Sequence, residues 1–174
     1  MQEPITKEGY DLLTKEFKFL LEVEKPKAAH EKLVAAALGD RSENADYQAA
    51  KEKLRHIDKR LFYLNSVLQK AQIIDPSLSL HERVSFGSSV RLLDINCDEE
   101  VVYTICGITE AEPHNNLISV HAPLARAMIG KRANEEFTLF LPSGKKEYEI
   151  VEIFYVNIFS LKKNIRSEAD FSFH

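Results

Sequence analysis

The chain has 174 residues, 44% hydrophobic and 29% charged, with a formal net charge of −4. That is the size and make-up of one or two globular domains, and no apolar run approaches the roughly 20 residues that a membrane span needs. A net negative chain is not a bulk nucleic-acid binder, which would cluster Lys and Arg against phosphates.

Met1 to Tyr10 lacks the basic start and apolar block of a signal peptide, so the cytosol is the expected compartment. From there Tyr10, Leu13, Phe17 and Leu20 step by three and four, the spacing of a helix face. Pro26 falls inside the pattern and predicts a kink or local break. Helix character resumes through Ala28, Ala29, Leu33, Val34 and Leu38. A second helix is predicted from about Glu43 to Gln72, about 45 Å long at 1.5 Å per residue. Its apolar positions Tyr47, Ala50, Leu54, Ile57, Leu61, Leu64, Leu68 and Ala71 form a heptad seam. Two such helices are unstable apart and imply an antiparallel pair. Gly39 fits a left-handed position just past Leu38, and Asp40 is placed to cap the second helix. The hairpin tip is then Gly39 to about Asn44.

At Asp75-Pro76 the pattern changes. Strands are predicted at Val84–Phe86, Val90–Ile95, Val101–Ile108 and Leu117–Val120, with a turn at Asn96-Cys97-Asp98. Pro123 to Ile129 suits a short helix ended by Gly130. Phe137–Leu141 and Tyr148–Tyr155 make a last hairpin. The fold class is α+β: a helical hairpin over 1–75, a small antiparallel sheet domain over 76–156, and an extension over 157–174 that is either a short helix or a loose tail. Residues 1–75 carry 13 basic and 13 acidic side chains, and residues 76–174 carry 10 and 14, so the negative balance lies in the second part.

The candidate chemistry is thin. Asp40 and Glu43 are two hard oxygen donors three residues apart, a pair suited to Mg²⁺ when other ligands come from elsewhere. The same spacing is a capping box, and by spacing that is the plainer reading. Lys51, Arg55 and Lys59 lie within about 80° on one helix face, an RNA-facing stripe or a solvated flank beside Glu52 and Asp58. Lys53 and Arg60 flank the seam on another side. Phe17, Phe19, Phe62 and Tyr63 offer ring surface, with core packing the simpler use of Phe17. His121 has no Ser or Cys partner in view and reads as a cap or hydrogen-bonding group. Cys97 and Cys106 are not in a CxxC pair and read as reduced thiols.

Two blocks carry a resemblance. One is Leu38-Gly39-Asp40-Arg41-Ser42-Glu43-Asn44-Ala45-Asp46-Tyr47, followed by the run Lys53 to Leu64. The other is Asn116-Leu117-Ile118-Ser119-Val120 with Pro123-Leu124-Ala125-Arg126-Ala127-Met128-Ile129-Gly130-Lys131. Together they resemble the bacterial Gre transcript-cleavage factors, with Arg41-Ser42 and the following helix closer to the family's B type. The resemblance runs from about Ile5 to Tyr155. It departs at Ala122, where the family usually has Ser, and in the segment beyond Tyr155.

The resemblance implies an N-terminal coiled coil and a C-terminal domain similar to FK506-binding proteins. It implies that the partner is bacterial RNA polymerase, bound at the rim of and within its secondary channel, with the nascent RNA 3′ end nearby. Asp40 and Glu43 would then be the catalytic carboxylates, holding Mg²⁺ jointly with the polymerase. Asn44 and Tyr47 would support the tip, and Lys51, Arg55 and Lys59 would face RNA. A monomer that binds no metal tightly by itself is expected, as is no stand-alone enzyme activity. The alternative is a channel-binding regulator that does not stimulate cleavage. A prolyl isomerase and a structural adaptor are further readings that the tip composition does not favour.

Overall fold

The computed structural model describes residues 2–41 and 43–162. They form two compact units. Tyr10–Lys70 is one; residues 2–9 together with residues 71–162 belong to the other.

The first unit is the expected hairpin. Helix α1 spans Lys7–Phe19, a π-helical turn follows at Leu20–Glu24, α2 spans Lys25–Ala36 and α3 spans Ala45–Lys70. The π turn is the break foreseen at Pro26. Proline has no N–H, and its ring collides with the carbonyl four residues back. The chain widens by one residue per turn there, so that the Lys25 N–H reaches the Leu20 carbonyl, and Pro26 falls in the first turn of α2. The seam of α3 is the packed face: Ala50, Ile57, Leu61 and Leu64 are buried. Leu20 and Ala28 meet them, with Leu13, Phe17 and Leu54 at the margin.

Ion pairs set the antiparallel register. Arg60 donates two bonds to the buried Glu16, at 2.6 and 2.9 Å. Lys25 pairs with Asp58 at 2.7 Å. Nearer the tip, Lys53 lies 3.5 Å from Glu24 and 3.7 Å from Glu31. Breaking such a buried pair is costly, so it fixes register even where it adds little net stability.

Leu33, Val34 and Leu38 are exposed, whereas Ala28 and Ala35 are inside. Small residues in the seam leave the larger aliphatic side chains on the outer face.

The second unit begins at the N-terminus. Strand β1, Glu3–Thr6, pairs in parallel with β2, Ala71–Ile74, with Ile5 opposite Ile73. This pairing moves the unit boundary away from 75/76, and the helix expected to run to Gln72 ends at Lys70. The main sheet contains β3 (Ser88–Asp94), β4 (Glu99–Cys106), β5 (Leu117–Ser119), β6 (Glu136–Leu141) and β7 (Gly144–Tyr155), in the order β5-β4-β3-β7-β6. Its pairings are antiparallel except for the parallel β4–β5 pair. Helix α4, Pro123–Met128, supplies Ala125 and Met128 to a core with Val84, Val90, Leu92, Ile105 and Ile150. The expected strand at Val84–Phe86 is absent. Val84 instead bonds through its N–H to the Lys131 carbonyl and through its carbonyl to the Gly130 N–H.

Helix α5, Ile158–Leu161, opens the C-terminal extension, and Asn157 caps it by accepting from the Phe159 N–H at 2.9 Å. Ile158 is buried beside Cys106 and Leu117. The extension from residue 163 onward lies outside the described residues. Both cysteines are free thiols, and burial pushes Cys106 up to about 12. Among the described residues no helix is long and apolar enough to cross a membrane.

Candidate functional site

The tip lies between the end of α2 and the start of α3. Gly39 has φ of 147°, inside the positive region that side chains disfavour, as expected for a glycine just past Leu38. Asp40 and Glu43 are both exposed on the turn that follows.

Neither carboxylate is the observed cap of α3. Helix α3 starts at Ala45, one turn later than the Asp40 cap required. Asn44 takes that place, its Oδ1 accepting from the Tyr47 N–H at 3.0 Å. The Asn44 Nδ2 donates to the Ala35 carbonyl at 2.7 Å, which also accepts from the Leu38 N–H at 3.1 Å in the closing turn of α2. One side chain thus ties the last turn of α2 to the first turn of α3. Gln48 adds a second tie, from its Nε2 to the Arg41 carbonyl at 2.8 Å. The Tyr47 ring lies below two cations, with Lys32 Nζ at 5.8 Å and the Arg41 guanidinium at 5.9 Å. The structure thus places Asn44 and Tyr47, both expected as supporting residues, in contacts at the tip. Gln48 was not foreseen; its position, one turn after Asn44 on the first turns of α3, is the signal that would have found it. Asn44→Ala is expected to cost about 1–2 kcal/mol of hairpin stability, measured as a lower midpoint in the helical circular-dichroism melt.

The basic stripe divides on inspection. Lys51 and Lys59 are exposed. Arg55 is bound to Glu52, with Nε to Oε2 at 2.9 Å, and it holds the Glu52 carboxyl down to about 2. Lys53 and Arg60 belong to the inter-helix pairs. Phe17 packs in the hairpin core, while Phe62 is exposed and Tyr63 carries the Arg60 guanidinium 5.2 Å from its ring centre.

In the second unit, His121 does not cap α4. Its Nε2 lies 2.6 Å from Glu3 Oε2, and Ala122 at the cap position offers no side-chain acceptor. A buried carboxylate there escaped the sequence reading. Glu110 accepts from the Thr6 N–H at 3.2 Å, from the Thr6 hydroxyl, and from the Gly107 N–H at 2.9 Å. The Thr6 hydroxyl oxygen in turn accepts from the Gly9 N–H at 3.0 Å, closing the first turn of α1. Burial pushes the Glu110 carboxyl up, against those bonds. Among the described residues no group of three or more His, Cys, Asp or Glu side chains forms a metal site.

Two family models match the chain. Residues 3–73 match the N-terminal domain of transcription elongation factors of the GreA/GreB type, and residues 79–155 match their C-terminal domain. A protein named transcription elongation factor GreA from Nautilia profundicola is 47% identical over 157 residues, covering 90% of this chain and 97% of that one. One of the same name from Nitratiruptor is 49% identical over 154 residues, covering 88% and 94%. These relatives carry the A-type name, not the B type that the tip and the run along α3 led one to expect. Among solved structures, GreA factor homolog 1 of Thermus thermophilus is 25% identical, with a TM-score of 0.42 over 88% of this chain and 99% of that one.

Proposed function

We propose, from the premise that this chain belongs to the GreA/GreB family of transcription elongation factors, that it acts on bacterial RNA polymerase by stimulating hydrolysis of the 3′ end of backtracked RNA. The observation that carries the reading is a pair of exposed carboxylates, Asp40 and Glu43, on a tip whose capping is done by Asn44. The hairpin would enter the polymerase's secondary channel tip first. The chain works as a monomer in the cytoplasm, where the polymerase transcribes.

The donor set suits Mg²⁺, which takes one or two carboxylates and completes its shell with water and phosphate oxygens. Asp40 and Glu43 would supply this chain's share of the ligands, and the polymerase the rest. When bound there, such an ion makes a water more acidic and stabilises the charge that develops on the phosphate. What the chain's own residues do is simpler. The Asn44 tie and the Gln48–Arg41 bond hold the turn, so two negative charges arrive together in a site that another protein completes. Hydrolysis adds water at a backbone phosphorus and releases the 3′ oxygen of the preceding nucleotide, which becomes the new transcript end. Lys51 and Lys59 would face the displaced RNA.

The test adds the purified chain to stalled, backtracked elongation complexes and sizes the RNA. Short 3′ fragments should appear only with Mg²⁺ present, and the retained transcripts should resume extension with nucleotides. Binding without fragments, with extension slowed, would replace this reading by that of a regulator that occupies the polymerase without stimulating cleavage.

A further inference from the structure

We infer that Arg41 binds a phosphate of the transcript next to the bond that is cut, and that the Tyr47 ring positions its guanidinium for that contact. The inference deepens the proposed function and rests on it.

Arg41 is held to the start of α3 at two points. Its carbonyl accepts from Gln48 Nε2 at 2.8 Å, and its guanidinium carbon lies 5.9 Å from the centre of the Tyr47 ring. Tyr47 is itself seated by the bond from its N–H to Asn44 Oδ1. A cation at that range is drawn to the negative face of the ring. A ring face, unlike a carboxylate, leaves the in-plane N–H donors of the guanidinium unspent. The arginines of α3 are engaged differently: Arg55 gives its N–H groups to Glu52, and Arg60 gives its own to Glu16. Arg41 is the hairpin arginine that is exposed, placed by a ring, and still carries its fork of donors.

Charge selects what that fork would meet. Arg41 adjoins Asp40 and stands two residues from Glu43, so its Cα lies within about 8 Å of either at 3.8 Å per residue. Whatever brings those carboxylates to a phosphodiester brings Arg41 with them. Two carboxylates approaching RNA also face the phosphates that flank the reacting one, and like charges at that range repel. A guanidinium in the same turn offsets the repulsion, and its parallel N–H groups match two oxygens of one phosphate. Lys32, 5.8 Å from the same ring centre, is a point charge on α2 without that fork.

The test follows cleavage against factor concentration in backtracked complexes. Polymerase affinity is read by fluorescence anisotropy of the full chain labelled at Cys97, the exposed thiol, Cys106 being buried. Arg41→Gln should lower the cleavage rate at saturation about 10-fold, the loss of one charged hydrogen-bonding contact, with polymerase affinity and helical content retained. Arg41→Lys, which keeps the charge and loses the fork, should fall between. Tyr47→Leu should slow the wild type but not an Arg41→Gln background, and Tyr47→Phe, which keeps the ring, should restore the rate that Tyr47→Leu loses. Neutral methylphosphonates placed in turn at the two linkages flanking the scissile one should slow the wild type at one of them and leave Arg41→Gln unaffected there. A full rate in Arg41→Gln overturns the inference. So does a loss that follows weaker polymerase binding, or a methylphosphonate effect that is equal in the two proteins. If the wild type binds but cuts nothing, the proposed function falls and this inference with it; if the wild type and Arg41→Gln cut equally, this inference falls alone.

Discussion

Asp40→Asn and Glu43→Gln, each alone, are expected to lower the rate of transcript cleavage at saturating factor by about 10²–10³-fold, the range seen when one preorganised charge-stabilising group is removed from an active site. Each substitution keeps the side chain's shape and removes its charge. Both residues are exposed on the turn, and helix α3 is capped by Asn44 rather than by either of them. The Asn44 cap is kept in both variants, so helical content should be retained, and affinity for the polymerase should change less than twofold. The double variant should be scarcely worse than the weaker single one, because two ligands of one ion act as a unit and their losses do not add. A single variant that retains full cleavage would remove that residue from the metal-holding role. A variant that loses binding in proportion to rate would make the carboxylate a docking group instead.

The tip shows where sequence reading worked and where it stopped. That Asp40 and Glu43 sit on a hairpin turn followed from the seam through Ala50, Leu54, Ile57, Leu61 and Leu64, whose alternating steps of three and four call for a second helix as partner. That Asn44 would cap α3 did not follow, because Asp and Asn are equally good caps and the choice is made by where the turn ends. The cross-tie from Asn44 to the Ala35 carbonyl is a tertiary contact nine residues apart that no local pattern encodes. Both sides of α2 carry apolar residues, so spacing left open which of them face α3; alanines let the helices approach closely, and only the packed pair reveals which side is in. Strands β1 and β2 were missed for another reason. Each has four residues and runs directly into or out of a helix, so neither shows an alternation long enough to read. Pro26 located the break correctly, but the π turn that absorbs it depends on how the widened helix packs.

Glu110→Ala is expected to cost about 3 kcal/mol of stability in the unit that contains the sheet. The carboxylate takes hydrogen bonds from the Thr6 and Gly107 N–H groups and from the Thr6 hydroxyl, and its truncation strands two backbone donors in a buried place, at about 1–3 kcal/mol each before relaxation. Burial also raises its pKa above the ordinary 4.5. A carboxyl with a raised native pKa binds its proton more tightly folded than unfolded, so stability increases as pH falls through the window between the raised value and 4.5, and decreases as pH rises through it. Glu110→Gln should flatten that dependence. It should also destabilise by less than the alanine variant, since the amide oxygen still accepts while its NH₂ meets a donor. Denaturant titrations of wild type and both variants across the mildly acidic range measure all three. A wild type whose stability in that range rises with pH, and which loses that slope in the glutamine variant, would show that Glu110 folds as a favoured carboxylate, with its hydrogen bonds outweighing its burial.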